Sequence, residues 1–358
     1  MDKVEKKHSG NQVILGYKPK IFTQGSFNAM VISGILGFLM FPFVLFGYSF
    51  PDMGVFAWIY LVPLLLGIHR LPLKGKFVIS FMSAMLMNFG SFYWLMTAMQ
   101  LFGKLNFFQA FAMLLIMCAM FSLFHALFIS MASWTSHMVK MPLFLLIPIF
   151  MVAHNVVLHY FPFNGFPFGI APYTQGAWID YFQWVDHTGI FGLSLVIFLV
   201  NGLLADGLLL FIHRKQPDKL FSRLMVVFVV MLLSLYCSFL SSQSYEKNKK
   251  SVGNISIAMI QGNIPQDTKW DPFKAQDNLN AYLRLTNNAV KDGADLVMWP
   301  ETAYPYGIKQ KKMGKSHFLD KEGLSAPILF GAVVTDRKKS QRRLYNAVIL
   351  ADKTALMS

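Results

Sequence analysis

Asp295-Leu296-Val297-Met298-Trp299-Pro300-Glu301-Thr302 decides how this chain is read. Its apolar run is too short for a helix and is closed by a proline, so it predicts a buried strand from Leu296 to Trp299. That strand delivers one carboxylate, Glu301, just beyond its carboxyl end, where open α/β sheets gather their chemistry. Glu301 is therefore the leading catalytic candidate. The competing reading is a strand-end acid or helix cap without a chemical role.

The flanking sequence supports an α/β domain over residues 254–358. Ile255 to Ile260 predicts a strand, and Gln261-Gly262-Asn263-Ile264-Pro265 predicts a turn. Phe273 to Lys291 has helical spacing through Leu279, Tyr282, Leu283, Leu285 and Val290, with Gly293 as its stop. Pro327 to Val334 and Leu344 to Ala351 predict two more strands. A polar linker over residues 242–253, with Lys247, Lys249 and Lys250, joins this domain to what precedes it.

Residues 1–241 read as membrane. The whole chain is 55% hydrophobic and 14% charged with a mean hydropathy of +0.46, whereas about a quarter of residues are charged in an average soluble domain. Apolar stretches long enough to cross the bilayer's hydrocarbon fall at about 27–50, 53–69, 77–101, 107–132, 142–160, 189–212 and 221–241, predicting seven helices. No small-residue cleavage pattern follows the first stretch, which reads as an uncleaved anchor. With the N-terminus inside, the inner segments carry Lys3, Lys6, Lys7, Lys18 and Lys20, then Arg70, Lys74 and Lys76, then Lys140, then Arg214, Lys215, Lys219 and Arg223. The short outer loops carry only Lys104, so the positive-inside rule fixes this orientation. An odd number of crossings then leaves everything after Ser241 outside, which in a bacterium is the periplasm or its equivalent. The net charge of +14 thus needs no nucleic-acid partner, since thirteen of the 32 basic residues are topology signals.

Other residues carry weaker signals. Cys118 and Cys237 both lie in apolar spans as packing residues, and no spacing suggests a metal site or a disulfide framework. His125 and His154 lack ligand partners at helical spacing. Asp206 is a functional candidate as an intramembrane acid, but Arg214 close by places it near the cytoplasmic interface. The connection from Phe161 to Thr188 has no Lys or Arg and many aromatics. It reads equally as an outer-leaflet aromatic belt or as the lipid-facing lip of a site.

Several motifs together resemble the apolipoprotein N-acyltransferases, membrane-embedded relatives of the nitrilase superfamily. They are Met259-Ile260-Gln261-Gly262-Asn263-Ile264-Pro265-Gln266, Lys269-Trp270-Asp271, Trp299-Pro300-Glu301-Thr302 and Tyr345-Asn346-Ala347, after a multi-span region. Gly34 to Pro42, Leu61-Val62-Pro63-Leu64-Leu65, Gly90-Ser91-Phe92-Tyr93-Trp94 and Gly189 to Leu193 extend the resemblance through the membrane part. It implies a multi-span membrane domain followed by a nitrilase-like α-β-β-α sandwich. The implied activity is acyl transfer from a phospholipid donor to the N-terminal amine of a diacylglyceryl-modified apolipoprotein acceptor. The family works through a Glu, Lys, Cys triad and a thioester, with no metal or organic cofactor. A base makes the attacking thiolate, burial would strengthen a carboxylate in that role, and a lysine steadies the oxyanion. By position Glu301 matches the general base. Trp270 matches an aromatic near the acyl or lipoprotein pocket, with a plain packing role as the alternative. Asn346 is expected near the active site without a chemical role.

The resemblance also implies a lysine shortly after the Tyr-Asn strand and a cysteine well beyond it, followed by a last membrane span. Lys353 comes too early and lacks the flanking residues, so the sequence leads us to expect a C-terminally truncated, incomplete sandwich that is inactive alone. Two other functions stay open at this point: a membrane-tethered carbon–nitrogen hydrolase, and a non-catalytic remnant that binds lipid or lipoprotein. A transporter is disfavoured by the few buried charges and the lack of paired broken helices.

Overall fold

The computed structural model describes residues 22–45, 47–51, 53–162, 164–214, 216–248, 253–310, 326–338, 341–351 and 356–357. The chain divides into two compact units, Met1–Asn248 and Lys249–Ser358.

Unit 1 is a helical bundle: α1 (Gln24–Leu39), α2 (Leu61–Ile68), α3 (Leu73–Phe92), α4 (Leu95–Leu101), α5 (Phe107–Val139), α6 (Leu143–Tyr160), α7 (Val185–Arg214) and α8 (Pro217–Asn248). Among the described residues, α5 to α8 are long and apolar enough to cross a membrane. The α3 and α4 pair, bent by 54°, makes a fifth if counted as one span. The first two apolar stretches form shorter helices, Gln24–Leu39 and Gly54–Ile68.

The difference from the sequence expectation has local causes. Pro42 cannot continue α1, and residues after it fold back as a hairpin of β1 (Phe43–Leu45) and β2 (Tyr48–Phe50), with Gly47 at φ 82° in the turn. The Tyr93 hydroxyl accepts from Val44 N (2.7 Å) and donates to Val44 O (3.1 Å), pinning the hairpin to the α3–α4 bend. In the second stretch a 3-10 turn, Gly54–Trp58, precedes α2, and the break leaves backbone groups without helical partners. Buried Asn201 of α7 supplies them: it donates to Ala57 O (2.9 Å) and accepts from Leu61 N (3.0 Å). Without water, only such a side chain satisfies an interrupted helix.

Polar residues elsewhere in the bundle bond between helices in the same way. Lys76 donates to Ser133 (2.5 Å), Asn88 to Ser122 (3.0 Å), and Asn155 to Ser194 (3.0 Å). The two histidines that looked isolated in sequence come together across α5 and α6, edge to face with ring centroids 5.4 Å apart. Asp206 pairs with Arg223 of α8 at 2.8 Å, and that guanidinium also lies 4.5 Å from the centre of the Phe144 ring. Cys118 is buried and Cys237 is exposed on the bundle surface.

α8 does not stop at Ser241. Residues 242–248 contain no glycine or proline, and the helix continues to Asn248, so part of the polar segment expected as linker is its last two turns.

Unit 2 is a small mixed sheet with a helix on one face, as an incomplete α/β domain requires. Its elements are β3 (Ile257–Met259), the short α9 (Gln266–Lys269), α10 (Ala275–Lys291), β4 (Leu296–Met298), β5 (Ile308–Lys309), β6 (Ile328–Lys338), β7 (Gln341–Ala351) and β8 (Leu356–Met357). The strand order is β3-β4-β6-β7-β8, with β5 beside β6. β3, β4 and β6 are parallel, and β6 to β8 antiparallel. Leu279 and Tyr282 of α10 pack on Val297, Trp299, Ile328, Phe330 and Ile349. The residues of opposite parity, Ile257, Met259, Leu344 and Val348, remain 47%, 84%, 62% and 62% exposed. Lys353 lies outside the described residues.

Candidate active site

Trp299 anchors the site. Its ring stacks on Tyr282 at 5.2 Å and its indole N–H donates to Thr286 at 2.8 Å, fixing the end of β4 against α10. Burial of the Tyr282 phenol among these groups raises its pKa above the ordinary value. Pro300 then turns the chain, and Gly331 of β6 admits the turn. A Cβ at 331 would lie 2.4 Å from Thr302 N and 2.6 Å from Glu301 Cα, so no other residue fits without displacing backbone. Gly331 N donates to Pro300 O (3.3 Å) and Tyr304 N to Gly331 O (3.2 Å), closing the turn on the strand.

Thr302 sits at φ 49°. A β-branched residue there is a strained outlier, of the kind that surrounding structure must hold in place. The other strand-end turn repeats the device with a residue that tolerates it: Asn263, also at φ 49°. Gly262 beside it lies against the Tyr282 ring, where a Cβ would come within 2.7 Å of the ring carbon.

Three motifs separated in sequence meet at Glu301. Its carboxylate accepts a short hydrogen bond from the Asn346 amide on β7. Its backbone carbonyl accepts from the Lys269 ammonium at 3.0 Å. A cleft of about 430 Å³ opens here on the sheet face that α10 leaves bare, lined by Met298, Glu301, Leu329, Gly331, Asn346 and Val348. Glu301 is itself exposed, so the burial that would strengthen it as a base has to come from whatever occupies or covers the cleft.

Trp270 is 58% exposed beside Lys269, whose ammonium lies 5.8 Å from the centre of its ring. Asn346 lies near the site as the resemblance implies, and its bond to the carboxylate is new; Lys269 stands inside a quoted motif, but nothing in the sequence assigns it a part. Gly331 carried a visible signal, a glycine inside a strand pattern, which marks close backbone approach. Among the described residues no group of three His, Cys, Asp or Glu is arranged to hold a metal.

A bundle with four or five membrane-length helices, joined to a mixed sheet with an acid at the carboxyl end of a parallel strand, defines an integral membrane protein with an α/β unit. Residues 33–203 match the family model described as the apolipoprotein N-acyltransferase N-terminal domain. An apolipoprotein N-acyltransferase of Geobacter metallireducens is 29% identical over 81% of this chain and 55% of its own length. One from Wigglesworthia glossinidia brevipalpis is 23% identical over 75% of this chain and 55% of its own. One from Pseudomonas syringae pv. tomato is 32% identical over 33% of this chain and 21% of its own. The chain is similar to apolipoprotein N-acyltransferases over most of its length, and it spans about half the length of the first two of these relatives.

Proposed function

We propose that this chain supplies the membrane domain and the base-bearing part of the catalytic domain of an apolipoprotein N-acyltransferase. In this reading residues 1–241 lie in a bacterial inner membrane, α8 carries the chain on to Asn248 before a short link, and 254–358 form nitrilase-like structure on the periplasmic side. The observation that carries it is the convergence on Glu301, at the mouth of a cleft, of Asn346 at its carboxylate and Lys269 at its backbone carbonyl.

Glu301 takes the proton of a cysteine thiol, and the thiolate attacks an ester carbonyl of a membrane phospholipid. Lysophospholipid leaves as the thioester forms, its departing oxygen taking the proton from Glu301. The free α-amine of a diacylglyceryl-modified N-terminal cysteine then attacks the thioester and gives its proton to Glu301, which returns it to the departing thiolate as the amide forms. Asn346 orients the carboxylate, Lys269 holds the backbone that carries it, and Trp270 contacts substrate. The chemistry calls for no metal or organic cofactor and no nucleic acid.

Residues 249–358 contain no cysteine, so in this reading the thiol is supplied from outside them. The test is N-acylation of a diacylglyceryl peptide in membranes, with this chain alone and with the chain supplemented by the thiol-bearing part of a relative. The chain alone should give no turnover. The supplemented protein should be active, and Glu301→Gln should lower its rate by roughly 10² to 10⁴, the usual contribution of a general base. Undiminished turnover in Glu301→Gln would sink the assignment.

A further inference from the structure

The aromatic connection after α6 builds a pocket inside unit 1. Its 3-10 segment, Ala171–Tyr181, encloses with the Gly54–Trp58 turn and the middle of α8 a volume of about 340 Å³ lined by Val55, Trp58, Trp178, Tyr181, Met231 and Leu235. That is within the range of small-molecule sites, about 300 to 1,000 Å³.

Its walls are tied together. Gln175 donates to Gly54 O (2.8 Å) and accepts from the Trp58 indole (3.0 Å), joining the two 3-10 segments. They touch so closely that a Cβ on Gly54 would lie 2.2 Å from Thr174 O. Ser238 of α8 donates to Tyr181 O (2.7 Å), and Trp184 donates to Ser234 of α8 (2.8 Å). A pocket held this way is formed before its ligand arrives, which lowers the ordering cost of binding.

The same bonds decide the chemistry of the occupant. The Trp58 indole N–H is spent on Gln175, the Gln175 amide on Gly54 and Trp58, and the Ser234 hydroxyl on Trp184. What faces the cavity is carbon, so a polar headgroup or a peptide backbone would bury unmatched groups there. A hydrocarbon chain would not. The medium around the pocket supplies one, since the membrane-length segment of α8 is only 11% buried within the protein. Trp178 and Tyr181 at the rim are 48% and 53% exposed, as amphipathic rings at headgroup level are.

We propose that this pocket holds a single acyl chain of a membrane phospholipid, with the headgroup outside the Trp178 and Tyr181 rim. The inference rests on unit 1 being in a bilayer and is independent of the chemistry assigned to Glu301.

The test places the full chain in phospholipid nanodiscs containing a trace of phosphatidylethanolamine with a photoreactive diazirine on one acyl chain. Cross-linked positions are read by mass spectrometry after illumination. Met231 should be labelled well above Phe228 and Leu232, which lie on the same helix at 56% and 48% exposure and meet ordinary surrounding lipid. Met231→Trp, which fills the cavity, should lower labelling of Tyr181 and Val55 by roughly tenfold, the occupancy change that 1.4 kcal/mol produces, and leave Phe228 and Leu232 unchanged. Leu235→Phe is the second variant should Met231→Trp fold poorly, with the same expectation. Labelling should persist with a phosphatidylcholine probe. Equal labelling of Met231, Phe228 and Leu232, loss of labelling on changing headgroup, or displacement by a diacylglyceryl peptide and not by phospholipid would overturn the proposal.

Discussion

At the level of single residues, the site depends on one glycine and one strained threonine that act in opposite directions. Gly331→Ala puts a methyl group against backbone at 2.4 Å, where nothing flexible can give way. The cost expected is about 1 to 3 kcal/mol, as for other overpacked positions. Thr302→Gly removes a β-branched side chain from the left-handed region at φ 49° and should stabilise the turn by about 1 kcal/mol, since the relieved strain exceeds glycine's added chain entropy. Amide hydrogen exchange at Tyr304 and Gly331, whose N–H groups close the turn, checks both. Faster exchange in Gly331→Ala and slower exchange in Thr302→Gly are expected; the same direction in both would show that the turn is not under strain. Glu301 itself was legible in sequence because a proline and a short apolar run fix where a strand must end. Asn346 was expected near it, but its bond to the carboxylate and the part of Lys269 were not legible, because those contacts span 45 and 32 residues and follow only from the sheet order.

At the level of elements, hydropathy marked the four long apolar helices among the described residues and misjudged the shapes of the first three stretches. Residues 27–50 read as one span because Phe43 to Leu45 and Tyr48 to Phe50 are apolar, although Pro42 and Gly47 had marked a hairpin. The break at Ile59 and Tyr60 carried no local signal, since its partner Asn201 lies 144 residues from Ala57. That distance makes a comparison of two buried asparagines informative. Asn201→Leu keeps the volume but strips partners from Ala57 O and Leu61 N, and each backbone group left bare costs about 1 to 3 kcal/mol. Asn155→Leu loses its side-chain bonds to Ser194 and to the His154 ring and bares no backbone group, and such side-chain pairs average about 0.6 kcal/mol each between membrane helices. Thermal unfolding in detergent should therefore rank Asn201→Leu well below Asn155→Leu. Equal loss would mean that the break is held by packing and not by Asn201.

At the level of the molecule, the two faces of the unit 2 sheet set its behaviour. One face is a closed core under α10, and its alternation made the strands legible over 255–260, 296–299, 327–334 and 344–351. The other face resisted reading because apolar residues of opposite parity do not tell whether they are covered, and here Ile257, Met259, Leu344 and Val348 stand bare beside the Glu301 cleft. An apolar patch of this kind on a folded surface drives association. Copies of this chain held one per nanodisc should consequently pair at micromolar concentration through this face, and added salt should not separate them, because the contact is apolar. Leu344→Lys with Val348→Lys places two ammonium groups on each face, so that pairing buries like charges. Sedimentation should then show the pairing constant reduced by at least tenfold, equivalent to about 1.4 kcal/mol. If the double variant pairs as strongly as the parent, the association runs through another surface and the bare face is not adhesive.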